Sequence, residues 1–189
     1  MHANQQTANV ILDTNMTNIQ IKKAINSKLS KDIYIKDCTE VNKDFNSRFS
    51  AVRREYIYYI TYDYSPMKRY YNWQIKQELD FNLLNQCADI IIGENDFSLF
   101  SKASSETKNK ICKIYESYWT INNSNISYTI IGSRFLQHMV RLIVGSMVEV
   151  CKNRMSIEEF KNILNCKETK KSAVRAPARG LFLNKIYYE

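Results

Sequence analysis

Residues 134–150 are Arg-Phe-Leu-Gln-His-Met-Val-Arg-Leu-Ile-Val-Gly-Ser-Met-Val-Glu-Val. At helical period the stretch is apolar around most of its circumference, through Phe135, Leu136, Met139, Val140, Leu142, Ile143, Val144, Met147 and Val148. That pattern predicts a helix buried on several sides. The remaining stripe, Arg134, Gln137/His138, Arg141 and Gly145, keeps the i, i+3/i+4, i+7 spacing of one helical face. Arg141 therefore falls mid-helix among buried positions, where a guanidinium is tolerated only beside an anion.

Such a helix needs a sheet to cover, and the flanking sequence supplies strands. Upstream, Lys110–Ile121 and Asn125–Ile131 alternate as strands, joined by Asn122-Asn-Ser124 as a hairpin turn. Downstream, Ser156-Ile-Glu-Glu159 has capping-box form and opens a short helix bearing Ile157, Phe160, Ile163 and Leu164. Thr169–Arg175 is a basic loop, and Ala176-Pro-Ala-Arg-Gly180 turns into a last strand, Leu181–Tyr188. Further back, Arg53–Asp63 is a long strand with Arg54, Tyr56, Tyr58, Ile60 and Tyr62 on one face, ended by Ser65-Pro66. Asp80 is the N-cap of a helix carrying Phe81, Leu84, Cys87/Ala88 and Ile91, which Gly93 stops before a polar loop at Ser101–Asn109. From Arg53 onward the order is β-α-β-β-α-(α)-β, that of a ferredoxin-like α+β sandwich with an antiparallel or mixed sheet and helices on one face.

The first forty residues predict a strand at Thr7–Thr14, a helix opened by the capping box Thr17-Asn-Ile-Gln20, with Ile21, Ala24, Ile25 and Leu29 on its apolar side, and a strand at Ile33–Val41. This β-α-β order is the second half of a similar unit whose beginning is expected to be cut off, since three elements cannot bury both sheet faces. The expected division is 1–43 as that remnant and 44–189 as the main domain, with Asp44–Ala51 the polar connector.

Apolar residues make up 44% of the 189-residue chain, enough for a real core, and 13 tyrosines dominate the aromatics. Lys and Arg outnumber Asp and Glu 27 to 19, a net charge of +8. That balance fits a polyanionic partner such as nucleic acid, and fits equally a merely solvated basic surface. Five dispersed cysteines with no C-x-x-C argue against both a disulfide framework and a metal site. The N-terminus lacks the regions of a signal peptide, and the longest apolar helix is interrupted by Arg141; a soluble cytoplasmic protein is expected.

Several residues carry possible chemistry, each with a plainer reading. Arg141 could make an ordinary helix ion pair, for instance with Glu149. His138, one turn away, could be a hydrogen-bonded core residue; the other histidine is at position two, so a His-based metal site has no support. Tyr56, between Arg54 and Tyr58 on its strand face, could be core packing or an aromatic platform for a base with arginines on phosphates. Asp96-Phe97 reads as a cap plus a core anchor, and Arg179-Gly180 as a tight turn or a phosphate contact. No nucleotide-binding glycine loop is present, with only four Gly in the chain.

Together, Asn46-Ser-Arg-Phe-Ser-Ala51 with Arg54-Glu-Tyr-Ile-Tyr58, Gly93-Glu-Asn-Asp-Phe97, Phe135-x-x-His-Met-Val-Arg-x-x-Val-Gly145 and Ala176-Pro-Ala-x-Gly-Leu-Phe-Leu183 resemble tRNA pseudouridine synthase A. The order and spacing match over nearly the whole chain. The resemblance implies a cofactor-independent isomerase that detaches a uracil from its ribose, rotates it and rejoins it through carbon in the anticodon arm of tRNA. It implies an aspartate nucleophile, paired with Arg141, and Tyr56 stacked on the flipped base, with Leu181 in the apolar wall of the pocket. Arg48, Arg54, Arg134, His138 and Arg179 are the further candidate contacts to substrate RNA. A homodimer gripping tRNA in a basic cleft is expected, with no metal, cofactor or membrane.

One departure matters. The family's aspartate lies in a Gly-Arg-Thr-Asp-x-Gly stretch just before a tripeptide like Met1-His2-Ala3, and no Asp here matches it. The chain is therefore expected to bind RNA weakly and to make no pseudouridine alone. The alternatives are a non-catalytic RNA-binding or scaffold remnant of that family and a structural module with no RNA role.

Overall fold

The alternation at Arg54, Tyr56, Tyr58 and Ile60 builds the central strand of the sheet. The computed structural model describes every residue except 103, 105, 106, 124, 168, 169 and 189, so Ser124 of the hairpin turn and Thr169 of the basic loop lie outside the described residues. Its strands are β1 (His2–Ala3), β2 (Ala51–Thr61), β3 (Trp73–Gln74), β4 (Gly93–Asp96), β5 (Ile111–Asn122), β6 (Asn125–Gly132) and β7 (Leu181–Tyr188). The helices are α1 (Asn18–Asn26), α2 (Phe81–Ile90), α3 (Met139–Cys151) and α4 (Ile157–Leu164). Residues 1–6 and 51–189 form one compact unit, and residues 7–50 a second.

In the larger unit the strands lie in the order β1-β7-β2-β6-β5-β4, with β3 beside the end of β2. The long strands β7, β2, β6 and β5 are antiparallel neighbours. Relative to the β2-α2-β5-β6-α3-β7 run, that is the fourth, first, third, second arrangement of a ferredoxin-like sandwich. The α+β class is thus realised as one mixed sheet, parallel only where the short β1 joins β7 and β3 joins β2. The core lies where Tyr58, Ile60, Tyr128 and Ile130 of the sheet meet Leu84, Ile143, Met147 and Phe160 of the helices, all of them buried. Each such side chain contributes about 1.5–3 kcal/mol by leaving water. Buried polar atoms are satisfied locally: the Ser117 and Tyr128 hydroxyls share a hydrogen bond of 2.8 Å, and the Trp119 indole N–H meets the Met147 sulfur at 3.4 Å.

Helix starts follow their caps. Asp80 accepts from the Leu83 amide, and the Ser156–Glu159 capping box closes in both directions. The predicted start at Arg134 is corrected: α3 begins at Met139, because His138 takes φ +68°, a left-handed conformation that no helix interior accommodates. Gly93–Asp96, read as the way into a loop, pairs antiparallel with β5 as the edge strand β4.

In the smaller unit, α1 keeps its Thr17–Gln20 capping box, but the strands expected at Thr7–Thr14 and Ile33–Val41 are not formed. Alternation makes a strand only when a neighbour completes the ladder. Here the Asn26 side chain takes that place for one residue, accepting from the Ile35 amide at 2.8 Å and donating to its carbonyl at 3.0 Å. Val10, Ile11, Leu12, Ile33 and Val41 remain exposed. The β-α-β expected here is a helix between two segments that form no strand.

Among the described residues no helix is long and apolar enough to cross a membrane.

Candidate active site

Arg141 is the third residue of α3, in its first turn rather than mid-helix, and its surroundings are built by a passing strap of chain. The Nε–H of Arg141 donates to the Ala176 carbonyl at 2.7 Å, while the Ala176 amide donates to the Arg141 carbonyl at 3.0 Å. One turn on, the Val174 amide donates to the Ser146 hydroxyl at 3.1 Å. Gly145 makes this approach possible: a Cβ there would lie 2.1 Å from the Val174 carbonyl oxygen and 2.7 Å from the Ala176 nitrogen. The strap then turns at Pro177, whose carbonyl accepts from the Tyr58 hydroxyl at 2.7 Å. At Gly180, a Cβ would meet the Tyr58 ring at 2.8 Å.

No carboxylate is paired with Arg141 among the described residues. Glu149, the plain candidate on its own helix, is paired with Arg154 instead, at 3.6 Å. What surrounds Arg141 is positive. Burial and then the neighbouring Arg175 hold its pKa below the ordinary arginine value, with the Tyr58 phenol opposing. Burial, followed by Arg141, Arg175 and Lys102, likewise holds His138 below 6.5. Burial pushes the Tyr58 phenol well above 10 against the pull of Arg141 and Arg179, so it stays a neutral donor.

Tyr56 lies two residues along β2 from Tyr58, about 7 Å away on the same face. Its ring meets Phe135 edge to face, with centroids 5.0 Å apart and planes at 78°. Burial raises the Tyr56 phenol, partly offset by Arg54. In register Tyr56 sits between Ile130 and Leu183, and Tyr58 between Tyr128 and Leu181. Leu181 is buried and is the strand partner of Tyr58 across β2 and β7. Arg54 donates to the Ser133 carbonyl at 2.9 Å, fastening the segment that carries Arg134 and Phe135.

The candidates are therefore gathered unevenly. Arg141, His138 and Arg179 share one electrostatic neighbourhood with Tyr58. Tyr56, Arg54 and Phe135 form the adjoining group. Arg134 acts on Cys112, at the start of β5. Arg48 belongs to the smaller unit, where its guanidinium lies 5.4 Å from the centroid of the Phe49 ring. Asp96 is structural: its carboxylate accepts from the Ser98 amide and hydroxyl, at 2.8 Å and 2.6 Å, while Phe97 anchors the core. Sequence reasoning passed over Arg175 and Lys102. Arg175 was visible as the end of the basic loop, whereas Lys102 is brought in by its amide donating to the Gln137 carbonyl, which no local pattern announces.

Chemically, the arrangement can hold an anion at Arg141 and a flat ring beside Tyr56. Among the described residues no three His, Cys, Asp or Glu side chains gather as metal ligands.

The sequence profile of the tRNA pseudouridine synthase family matches residues 88–189. The chain is 39% identical over 191 aligned residues to tRNA pseudouridine synthase A of Borrelia hermsii (strain HS1 / DAH), covering 100% of this chain and 78% of that relative. The enzyme of the same name from Borrelia turicatae (strain 91E135) is 38% identical over the same shares. That of Azobacteroides pseudotrichonymphae genomovar. CFP2 is 35% identical, covering 100% of this chain and 76% of the relative. With the helix motif, the strap and the β2 aromatics all in place, this chain belongs to the tRNA pseudouridine synthase family.

Proposed function

We propose that this chain binds the anticodon arm of tRNA, as a homodimer in the cytoplasm, and that taken alone it binds without making pseudouridine. The observation that carries this reading is the environment of Arg141: a half-buried guanidinium, held by the Ala176 carbonyl, amid cations and with no paired carboxylate among the described residues. A guanidinium in that setting stabilises an incoming carboxylate in its ionised form and fixes its direction. An ionised, aimed carboxylate is what a covalent attack on the uridine requires. Tyr56 and Leu181 supply the aromatic and apolar surface that replaces base stacking once the uridine has left its helix. Arg54, Arg134 and Arg179 supply positive charge around it, His138 a neutral imidazole for hydrogen bonding, and Arg48 is the contact assigned to the smaller unit.

Incubating the purified chain in molar excess with unmodified tRNA transcript, followed by nucleoside chromatography of the digest, tests the reading. Retarded tRNA with no pseudouridine is the expected result. Pseudouridine in the anticodon arm would mean that another carboxylate reaches Arg141.

The same Arg141 environment favours a second reading, a non-catalytic RNA-binding or scaffold member of the family. Deleting the gene separates the two. Unchanged pseudouridine in the anticodon arm supports the scaffold, and its disappearance excludes it.

A further inference from the structure

The hydroxyl of Tyr58 is not needed to fill the core. Its ring is fully buried, edge on to Trp73 with centroids 6.2 Å apart, and so close to Gly180 that a Cβ there would lie 2.8 Å from it. A phenylalanine would occupy the same space without burying a polar atom, which costs free energy unless it is hydrogen-bonded. Tyr128, the other fully buried tyrosine among the described residues, places its hydroxyl inside the sheet, on Ser117. Tyr58 instead reaches a residue 119 positions away, donating to the Pro177 carbonyl of the strap at 2.7 Å.

That carbonyl is one step from the atom that holds Arg141. The Ala176 carbonyl, which accepts from the Arg141 Nε–H at 2.7 Å, shares a planar peptide with the Pro177 nitrogen. Only two rotations, φ and ψ of Pro177, separate it from the Pro177 carbonyl. The pyrrolidine ring locks φ, here at −56°. The covalent structure leaves ψ, at 144°, free to turn, and the Tyr58 hydrogen bond restrains it. The path from Tyr58 to Arg141 along the strap thus holds one soft dihedral, with a hydrogen bond at each end. With its Nε–H taken, Arg141 can grip a carboxylate by two bonds only through its terminal nitrogens, which hold no hydrogen bond among the described residues.

We propose that Tyr58 is a positioning residue of this site. Through Pro177 it sets the Ala176 carbonyl, and that carbonyl turns the Arg141 guanidinium so that the two terminal nitrogens are left for the incoming carboxylate. The assignment rests on the reading of Arg141 as the receiver of a carboxylate, and it names what aims the guanidinium.

The test is the Arg141 Nε–H signal in proton–nitrogen NMR of the full isotope-labelled chain. The signal is assigned by its loss in Arg141→Lys and read as the rate of proton exchange with water. Tyr58→Phe removes the hydroxyl and keeps the ring; Tyr128→Phe does the same where the hydroxyl bonds Ser117 instead. Tyr58→Phe is expected to speed exchange about fivefold, the equivalent of one hydrogen bond. Tyr128→Phe, with a comparable loss of melting temperature, is expected to leave the exchange rate as it is. Unchanged exchange in Tyr58→Phe, or equal acceleration in Tyr128→Phe, overturns the positioning role and leaves the tRNA reading standing. If Tyr58→Phe does not fold, Pro177→Ala takes its place: it frees φ with the hydroxyl intact and is expected to speed exchange about two- to fivefold. Unchanged exchange there overturns the role. Failure of the unsubstituted chain to retard tRNA overturns the tRNA reading, independently of the exchange rates.

Discussion

His138 occupies a backbone region that few side chains adopt, at φ +68°, and there it closes the entry to α3 while facing three cations. Burial and then Arg141, Arg175 and Lys102 depress its pKa below 6.5. Between that depressed value and 6.5 the unfolded chain binds more protons than the folded one, so this contribution to stability falls as pH drops through the window. Asn tolerates the same backbone conformation without titrating. His138→Asn is therefore expected to flatten the loss of stability between about pH 7 and about pH 5, followed by urea denaturation at each pH. Parallel pH profiles for the two proteins would show that the histidine is not the group responsible. Arg141 was legible from spacing as a buried cation on a helix. Its partner was not: the Ala176 carbonyl is 35 positions away, and it accepts through a backbone atom whose position no residue type encodes.

At the scale of elements, legibility followed local chemistry. The caps at Thr17, Asp80 and Ser156 are side chains bonding amides three residues on, so their positions were readable and the structure has them in place. The hairpin of β5 and β6 and the last strand came from alternation. What escaped was set by distant partners. The short β1 and β3 exist only through β7 and β2, and the alternating segments around α1 have no neighbour to complete them. The docking of the strap on α3 belongs to this class, and it yields a sharp expectation. Gly145→Ala forces a methyl into backbone atoms 2.1 Å away, so the strap must lift or α3 must shift. A loss of about 1–3 kcal/mol or more is expected in urea unfolding. A neutral effect would mean that the strap does not rest on the helix in solution.

The molecule as a whole divides its stability between two units of unequal construction. Among the described residues every buried side chain belongs to the larger one, and α1, nine residues long, has none. A helix of that length is marginal on its own. Hydrogen exchange is accordingly expected to be fast throughout Asn18–Asn26 and slow in β2 and β6, where opening requires disrupting the core. Comparable protection in both would contradict the difference in burial. The net charge of +8 was readable at once, but where it concentrates was not, because Lys102, Arg141 and Arg175 converge around His138 only through the fold. The strap gives that convergence a thermodynamic consequence. Val174 and Ala176 hold it to α3 by hydrogen bonds two residues apart, so an anion that orders one of these contacts lowers the entropy still to be lost at the other. Linkage is reciprocal: by whatever factor an anion on Arg141 tightens the strap on α3, the docked strap tightens the hold on that anion by the same factor.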